Sequence, residues 1–279
     1  MPRLAVCDSH KTGRGMSQRF YTGPTPRRGA SNLGVLVTWA LAAGVVGLQI
    51  AYPLTADASL ARLATATVVV FFLASAAHAW VHRGVGWALG MVAITAVGGL
   101  VAELVGTETG LLFGDYAYSD ALGPALVGTV PVAVPLAWTM MAYPAYVVAT
   151  TLARPAWLVA LIGGWVLMAW DVFLDPMMVD LGAWTWQSSG SELPGVPGIP
   201  ATNFAGWFLV GTLIVGALAL LPRFGVPRGQ PAALFLWVYA SSVLAAAVFF
   251  DQPGVALVGG VAMGLVAVPF AWRLWDTRG

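Results

Sequence analysis

The stretch W-L-V-A-L-I-G-G-W-V-L-M-A-W-D-V-F-L-D-P-M-M-V-D-L-G-A-W-T-W, residues 157–186, decides how the rest of the chain is read. Its first part, Trp157 to Leu174, is long and apolar enough to cross a bilayer as a helix, yet the stretch carries Asp171, Asp175 and Asp180 near its end. A charge at membrane depth is costly unless paired or hydrated, so such an acid marks a functional site by default. Asp171 and Asp175 are four residues apart, and a helix continued through them sets both on one face. Two carboxyls held that close favour one ionised and one protonated form, an arrangement suited to proton transfer.

The same apolar character extends outward over the 279 residues, of which 59% are hydrophobic and only 9% charged; the mean hydropathy is +0.80. Too few charges are present to cover a soluble globule, and the chain reads as a polytopic membrane protein. Spans are expected over Asn32–Tyr52, Leu60–Val81, Val85–Val105, Val130–Leu152, Trp157–Leu174, Phe204–Leu221, Ala232–Phe250 and Gly254–Trp272. The predicted fold is all-α, a bundle of about eight transmembrane helices forming one domain over 32–279. Residues 1–31 carry Arg3, Lys11, Arg14, Arg19, Arg27 and Arg28 without apolar periodicity, which predicts a disordered basic tail rather than a cleaved signal peptide. Cys7 is the single cysteine, so no internal disulfide and no thiolate metal site is expected.

Basic residues orient the spans, because loops that stay in the cytoplasm retain Lys and Arg. With the tail inside, Arg83, Arg154, Arg223, Arg228, Arg273 and Arg278 all fall on inner loops, leaving Arg62 on the outer side. Glu108, Asp115, Asp120, Asp180, Glu192 and Asp251 fall at the other end. The expected protein lies in the cell membrane with both termini cytoplasmic and its acidic loops outward. The net charge of +1 gives no reason to expect nucleic acid.

Two outer connections, Gly106–Thr129 and Asp175–Asn203, are long, acidic and aromatic, rich in Gly and Pro, and without Lys or Arg. They also resemble each other. Glu103 and Asp171 each precede by eleven residues a glycine, Gly114 or Gly182, that opens a G-x-aromatic-x-aromatic motif ending in Tyr116 and Tyr118 or in Trp184 and Trp186. Beyond lie Val130-Pro131 and Ile199-Pro200, and seven residues after each proline stand Trp138 and Trp207. The spacing predicts an internal repeat of helix, outer loop and helix, with units 85–152 and 157–221, running parallel about an axis along the membrane normal. The paired acids Glu103 and Asp171 would then face one another across a shared cavity.

Each candidate has a plain structural alternative. Asp171 would suit a helix end emerging into solvent, and Asp175 before Pro176 would suit an N-cap with proline at the first helical position. Asp115 and Asp180 fall in loops, where turn carboxylates are ordinary. Tyr116, Tyr118, Trp184 and Trp186 suit an interfacial belt or, alternatively, a π-lined pocket for a cation. Asn203 is a cap or a group that orients water, and His78 and His82 are expected at the inner interface, too few for a metal site.

A carboxylate and aromatic cluster among lipid-facing helices suits an apolar substrate that reacts at one end. A neutral acid protonates an alkene, and an anionic or π-rich wall holds the tertiary carbocation. Water capture then gives an alcohol, whereas proton loss or ring attack gives isomerisation or cyclisation. The blocks F-G-D-Y-A-Y-S-D-A-L-G-P-A-L-V-G-T-V-P-V-A-V-P-L-A-W-T-M-M-A-Y-P, from Phe113 to Pro144, and W-D-V-F-L-D-P-M-M-V-D-L-G-A-W-T-W with G-I-P-A-T-N-F-A-G-W, from Trp170 to Trp207, resemble the integral-membrane carotenoid hydratases of the bisanhydrobacterioruberin and γ-carotene type. The resemblance implies addition of water to the terminal double bond of an acyclic carotenoid, giving a tertiary alcohol without a cofactor. It assigns acid and base to members of the Glu103, Asp171 and Asp175 group. Asp115, Tyr116 and Tyr118 would position water, Trp184 and Trp186 would flank the cation, and Trp138, Asn203 and Trp207 would complete the substrate site. Between Gln187 and Pro197 the chain, rich in Ser, Gly and Pro, departs from the family pattern, which leaves end-group specificity open.

Competing readings make different demands. A prenyltransferase would want Lys or Arg near diphosphate, and the acidic loops hold none. A cofactor-free cyclase or isomerase shares the acid and the π wall. A proton-coupled transporter would need a polar path through the inner half, and a structural carotenoid-binding protein would tolerate loss of all three acids. The partners expected are a lipophilic carotenoid and the lipid bilayer, with no cofactor, no metal and no stated oligomeric form.

Overall fold

The computed structural model describes residues 30–56, 59–187, 190–224 and 227–276. The basic tail expected over 1–31 lies, but for Ala30 and Ser31, outside the described residues, as does Cys7.

The described chain is helical apart from three small ribbons. Helix α1 spans Asn32–Ala51, and its start is fixed by Ser31, whose Oγ accepts from the Gly34 N–H at 3.1 Å. Helix α2 spans Ser59–Arg83, and Gly84 turns the chain into α3, Val85–Val92, which runs through a π turn into α4, Gly98–Thr109. Helix α5 covers Ala133–Leu152, α6 Ala156–Asp180, α7 Ala201–Ala219, α8 Gly229–Leu244 with a π turn to Phe249, and α9 Pro253–Asp276. With α3 and α4 forming one rod, the described residues make the eight rods that the apolar segments predict. Seven of these are long and apolar enough to cross a membrane.

The eighth, α5, is the most enclosed. Trp138, Tyr143 and Tyr146 are fully buried on it, and it packs against α2 and α6. A helix shielded from lipid by its neighbours can carry Trp, Thr and Tyr where an outer helix must present Leu and Val. The outer rods do present them, as at Leu36, Leu89, Leu213, Leu257 and Leu265. Trp80, Trp157, Trp272 and Trp275 are exposed near the rod ends opposite the acids, where interfacial tryptophans belong.

Helices α6 and α7 make the closest pair in the bundle. Gly164 permits it: a Cβ there would lie 2.1 Å from Thr212 Oγ1 and 2.8 Å from the Phe208 carbonyl. Helix α6 also corrects two expectations, because it passes through Asp175 and Pro176 and ends at Asp180. Asp175 is therefore no N-cap, and Asp180 belongs to the last turn of a helix rather than to a loop. Pro176 removes one backbone donor, a loss that membrane helices tolerate where neighbours enclose them. The true stop is Gly182, at φ +71, where Gly182 N–H bonds the Val179 carbonyl at 2.8 Å and Ala183 N–H the Met178 carbonyl at 2.9 Å. That double bond is a Schellman closure, which wants glycine at the left-handed position.

The outer loops carry structure that periodicity did not foresee. Strands β1, Tyr116–Tyr118, and β4, Trp184–Trp186, come from different loops and pair antiparallel, Tyr116 opposite Trp186 and Tyr118 opposite Trp184. Hairpins β2, Ala125–Val127, with β3, Val130–Pro131, and β5, Glu192–Leu193, with β6, Val196–Pro200, lead into α5 and α7. The two aromatic motifs thus form one ribbon over the ends of the helices.

Candidate active site

Side chains in a strand alternate between faces. Tyr116, Tyr118, Trp184 and Trp186 therefore share one face of the β1–β4 ribbon, while Ala117 and Thr185 point to the exposed side. Cross-strand rings meet at 5.8 Å for Tyr116 with Trp186 and 5.7 Å for Tyr118 with Trp184. The ribbon lays four rings over the acid-bearing ends of α4 and α6.

Glu103 on α4 is buried beneath it and receives three donors: Tyr116 Oη at 2.5 Å and Tyr118 Oη at 2.7 Å on Oε2, and Trp138 Nε1 at 3.0 Å on Oε1. Gly99, one turn before Glu103, makes room for Trp138, since a Cβ there would sit 2.4 Å from the indole. Burial, and then the neighbouring Glu103 charge, hold both tyrosine hydroxyls well above their ordinary range, so they remain donors. A carboxyl that only accepts is served as an anion.

Asp171 and Asp175 form a different kind of site. They lie one turn apart on α6, completely buried, and share one amide: Asn203 Nδ2 donates to Asp171 Oδ2 at 2.8 Å and to Asp175 Oδ2 at 2.5 Å. Trp184 Nε1 adds a bond to Asp175 Oδ1 at 3.1 Å, while Asp171 Oδ1 has no partner among the described residues. Two carboxyls crowded onto one amide in a buried site favour one ionised and one protonated form. Asn203, the third residue of α7, is thus neither a helix cap nor a loop residue but the bridge of the pair.

One cavity joins these groups, walled by Glu103, Asp175, Asn203, Trp138, Trp207 and the four ribbon aromatics. Trp138 and Trp207 stack at 4.1 Å with their planes 12° apart, and Trp170 meets Trp207 edge-on at 5.9 Å. The predicted residues converge with two exceptions. Asp171 does not line the cavity but sits behind Asp175. Asp115 is exposed and outside it, since its place next to Tyr116 turns it to the other face of the ribbon; its backbone carbonyl accepts from the Gln187 N–H at 2.8 Å. His78 is buried rather than interfacial, its Nδ1 2.8 Å from Tyr143 Oη. No group of His, Cys, Asp or Glu suited to hold a metal occurs among the described residues.

A further wall holds residues that the sequence analysis does not single out: Gln49 and Tyr52 at the end of α1, Ser241 and Ser242 on α8, and Phe250 and Gln252 beyond it. Its signal was available as polar residues inside apolar spans, the criterion that singled out Asp171.

A buried pair of adjacent carboxyls, in which crowding favours one protonated member, and a separate carboxyl that accepts three hydrogen bonds, set around one apolar aromatic cavity, can deliver a proton to a hydrocarbon and stabilise the cation that results. The family model described as "Carotenoid biosynthesis protein" matches residues 63–269, which include every acid of the site. The chain belongs to the carotenoid biosynthesis protein family. Among curated proteins it is similar to "Bisanhydrobacterioruberin hydratase" of Haloarcula japonica, 34% identical over 157 residues, 53% of this chain. The chain spans about half of that relative, the match covering 48% of its length. No solved structure matches.

Proposed function

We propose that this carotenoid biosynthesis protein is a hydratase that adds water across the terminal C1–C2 double bond of an acyclic carotenoid. The observation that carries the proposal is the division of labour among the acids: Asp171 and Asp175 share the Asn203 amide with Asp175 at the wall of the aromatic cavity, and Glu103, which accepts three hydrogen bonds, stands at the same wall. Asp175, the member at the cavity wall, protonates C2, and Asp171 shares the proton from behind. The positive charge at C1 is held by the aromatic wall, with Trp184 and Trp186 flanking it, and by ionised Glu103, which then takes the proton released by the attacking water. Tyr116, Tyr118 and Trp138 keep Glu103 ionised and in place. The name of the Haloarcula japonica relative supports the same reaction class.

The protein is proposed to lie in the cell membrane with its acid-bearing end outward, since Arg83, Arg154, Arg223, Arg228 and Arg273 gather at the other end. An apolar substrate then reaches the cavity from the bilayer. The test is expression in a host that accumulates lycopene, followed by mass analysis of the pigments. Gain of water by the carotenoid is the expected result. Unchanged mass with altered absorption would replace hydration by isomerisation or cyclisation.

A further inference from the structure

The polar groups of the cavity do not all belong to the acid cluster. Gln49 on α1 and Ser241 and Ser242 on α8 line the same cavity as Glu103 and Asp175, with Gln252 at its outer rim. Gln49 has a fixed orientation. Its Oε1 accepts from Trp237 Nε1 at 2.8 Å, and because an indole N–H only donates, the amide NH2 is the end left for the cavity. Ser241 reaches back to the Val238 carbonyl only at 3.4 Å, and the Ser242 hydroxyl has no hydrogen-bond partner among the described residues. Gln252 donates to Asp180 Oδ2 at 2.6 Å, which leaves its carbonyl oxygen to accept.

These groups descend from the rim into the cavity. Tyr52, at the end of α1, meets Phe250 edge-on at 6.1 Å, and Gln49 lies about one turn inside Tyr52 on its helix. Ser242 is likewise one turn inside Ala246, whose carbonyl holds the Gln252 N–H at 2.9 Å. Donors left open in an apolar wall are costly unless bonded, and a hydrocarbon substrate offers them no acceptor. Water does, and a polar wall of this kind retains it.

Resting on the hydratase reading, we infer that Gln49, Ser241 and Ser242 hold the water that captures the cation, and that this wall, opening at Gln252, is the route by which water reaches the cavity. The proton of the Asp171–Asp175 pair forms the new C–H bond with the alkene π electrons. A lone pair of the held water forms the C–O bond, and Glu103 accepts the proton that the resulting oxonium releases. The sum is one water added, with no oxidant or reductant. The proton returns from Glu103 to the aspartate pair through cavity water before the next turnover.

Water capture and alkene protonation are separable in D2O. Membranes carrying the full chain are given lycopene, and two products are followed: the alcohol, and deuterium in the recovered carotenoid, which reports cations that form and collapse back to alkene. The double variant Ser241→Ala with Ser242→Ala, and separately Gln49→Leu, is expected to form about tenfold less alcohol while still exchanging deuterium. Retained exchange also shows that the variants fold. Undiminished alcohol in both would overturn the water site, as would alcohol and exchange falling together. A wild-type protein showing neither alcohol nor exchange would instead overturn the hydratase reading on which the site rests.

Discussion

Asp175 and Asp171 lie one helical turn apart, and of the two only Asp175 reaches the cavity. In the proposed reaction this makes Asp175 the proton donor, and Asp175→Asn is predicted to lower alcohol formation by roughly 10²–10⁴-fold. Asp171→Asn keeps the shape of the pair but removes one of the groups that share the proton, and a smaller loss is expected. Glu103→Gln replaces an anion with an amide that cannot accept from all three of its donors, and a fall of about 10²–10³-fold is predicted from the loss of charge stabilisation. Tyr118→Phe removes one donor of two on Oε2 and should cost about tenfold. The four variants are compared by pigment yield at equal membrane abundance. At this scale the sequence was informative because charge in an apolar span is rare: Glu103, Asp171, Asp175 and Asn203 were all legible as candidates. What spacing left open was orientation. Asp115 adjoins Tyr116 in sequence but alternation in the strand turns it outward.

Among the elements, α6 sets the geometry of the acids and must both stay helical past Pro176 and stop at Gly182. Gly182→Ala places a Cβ on a left-handed residue and is predicted to destabilise the protein by about 1–2 kcal/mol, seen as a lower thermal midpoint in detergent. Gly164→Val drives a branched side chain into Thr212 and the Phe208 carbonyl. It should separate α6 from α7, pull Asn203 from the aspartates, and abolish both stability and product. The helices were legible from their apolar runs because length and hydropathy fix a membrane span. The β1–β4 ribbon was not, since its strands are three residues each and come from separate loops. Only the repeated G-x-aromatic-x-aromatic pattern hinted that they belong together.

Across the whole molecule, the proposed internal repeat draws support from its counterparts meeting. The motif of one unit pairs with the motif of the other, and Trp138 stacks on Trp207. A pseudo-two-fold axis through that stack would relate Glu103 to Asp171, yet Asp175 rather than Asp171 reaches the cavity wall, and the surroundings diverge: three donors on Glu103, and an Asn203-bridged pair around Asp171. Such divergence of two like halves would give a single acid site its separate donor and acceptor of protons. The proposed orientation has its own check. In a Cys7→Ser background, a cysteine at position 120 should react with an impermeant maleimide added to intact cells, and one at position 228 should react only after lysis.

In the proposed hydration Asp175 donates the proton. Membranes carrying the wild-type chain or Asp175→Asn are incubated with lycopene in water enriched in heavy oxygen, and the carotenoid products are weighed by mass spectrometry. The wild type is predicted to yield a carotenoid alcohol bearing the heavy oxygen, and Asp175→Asn to yield almost none. Equal labelled alcohol from both would remove Asp175 as the proton donor, and an unlabelled product from the wild type would rule out hydration.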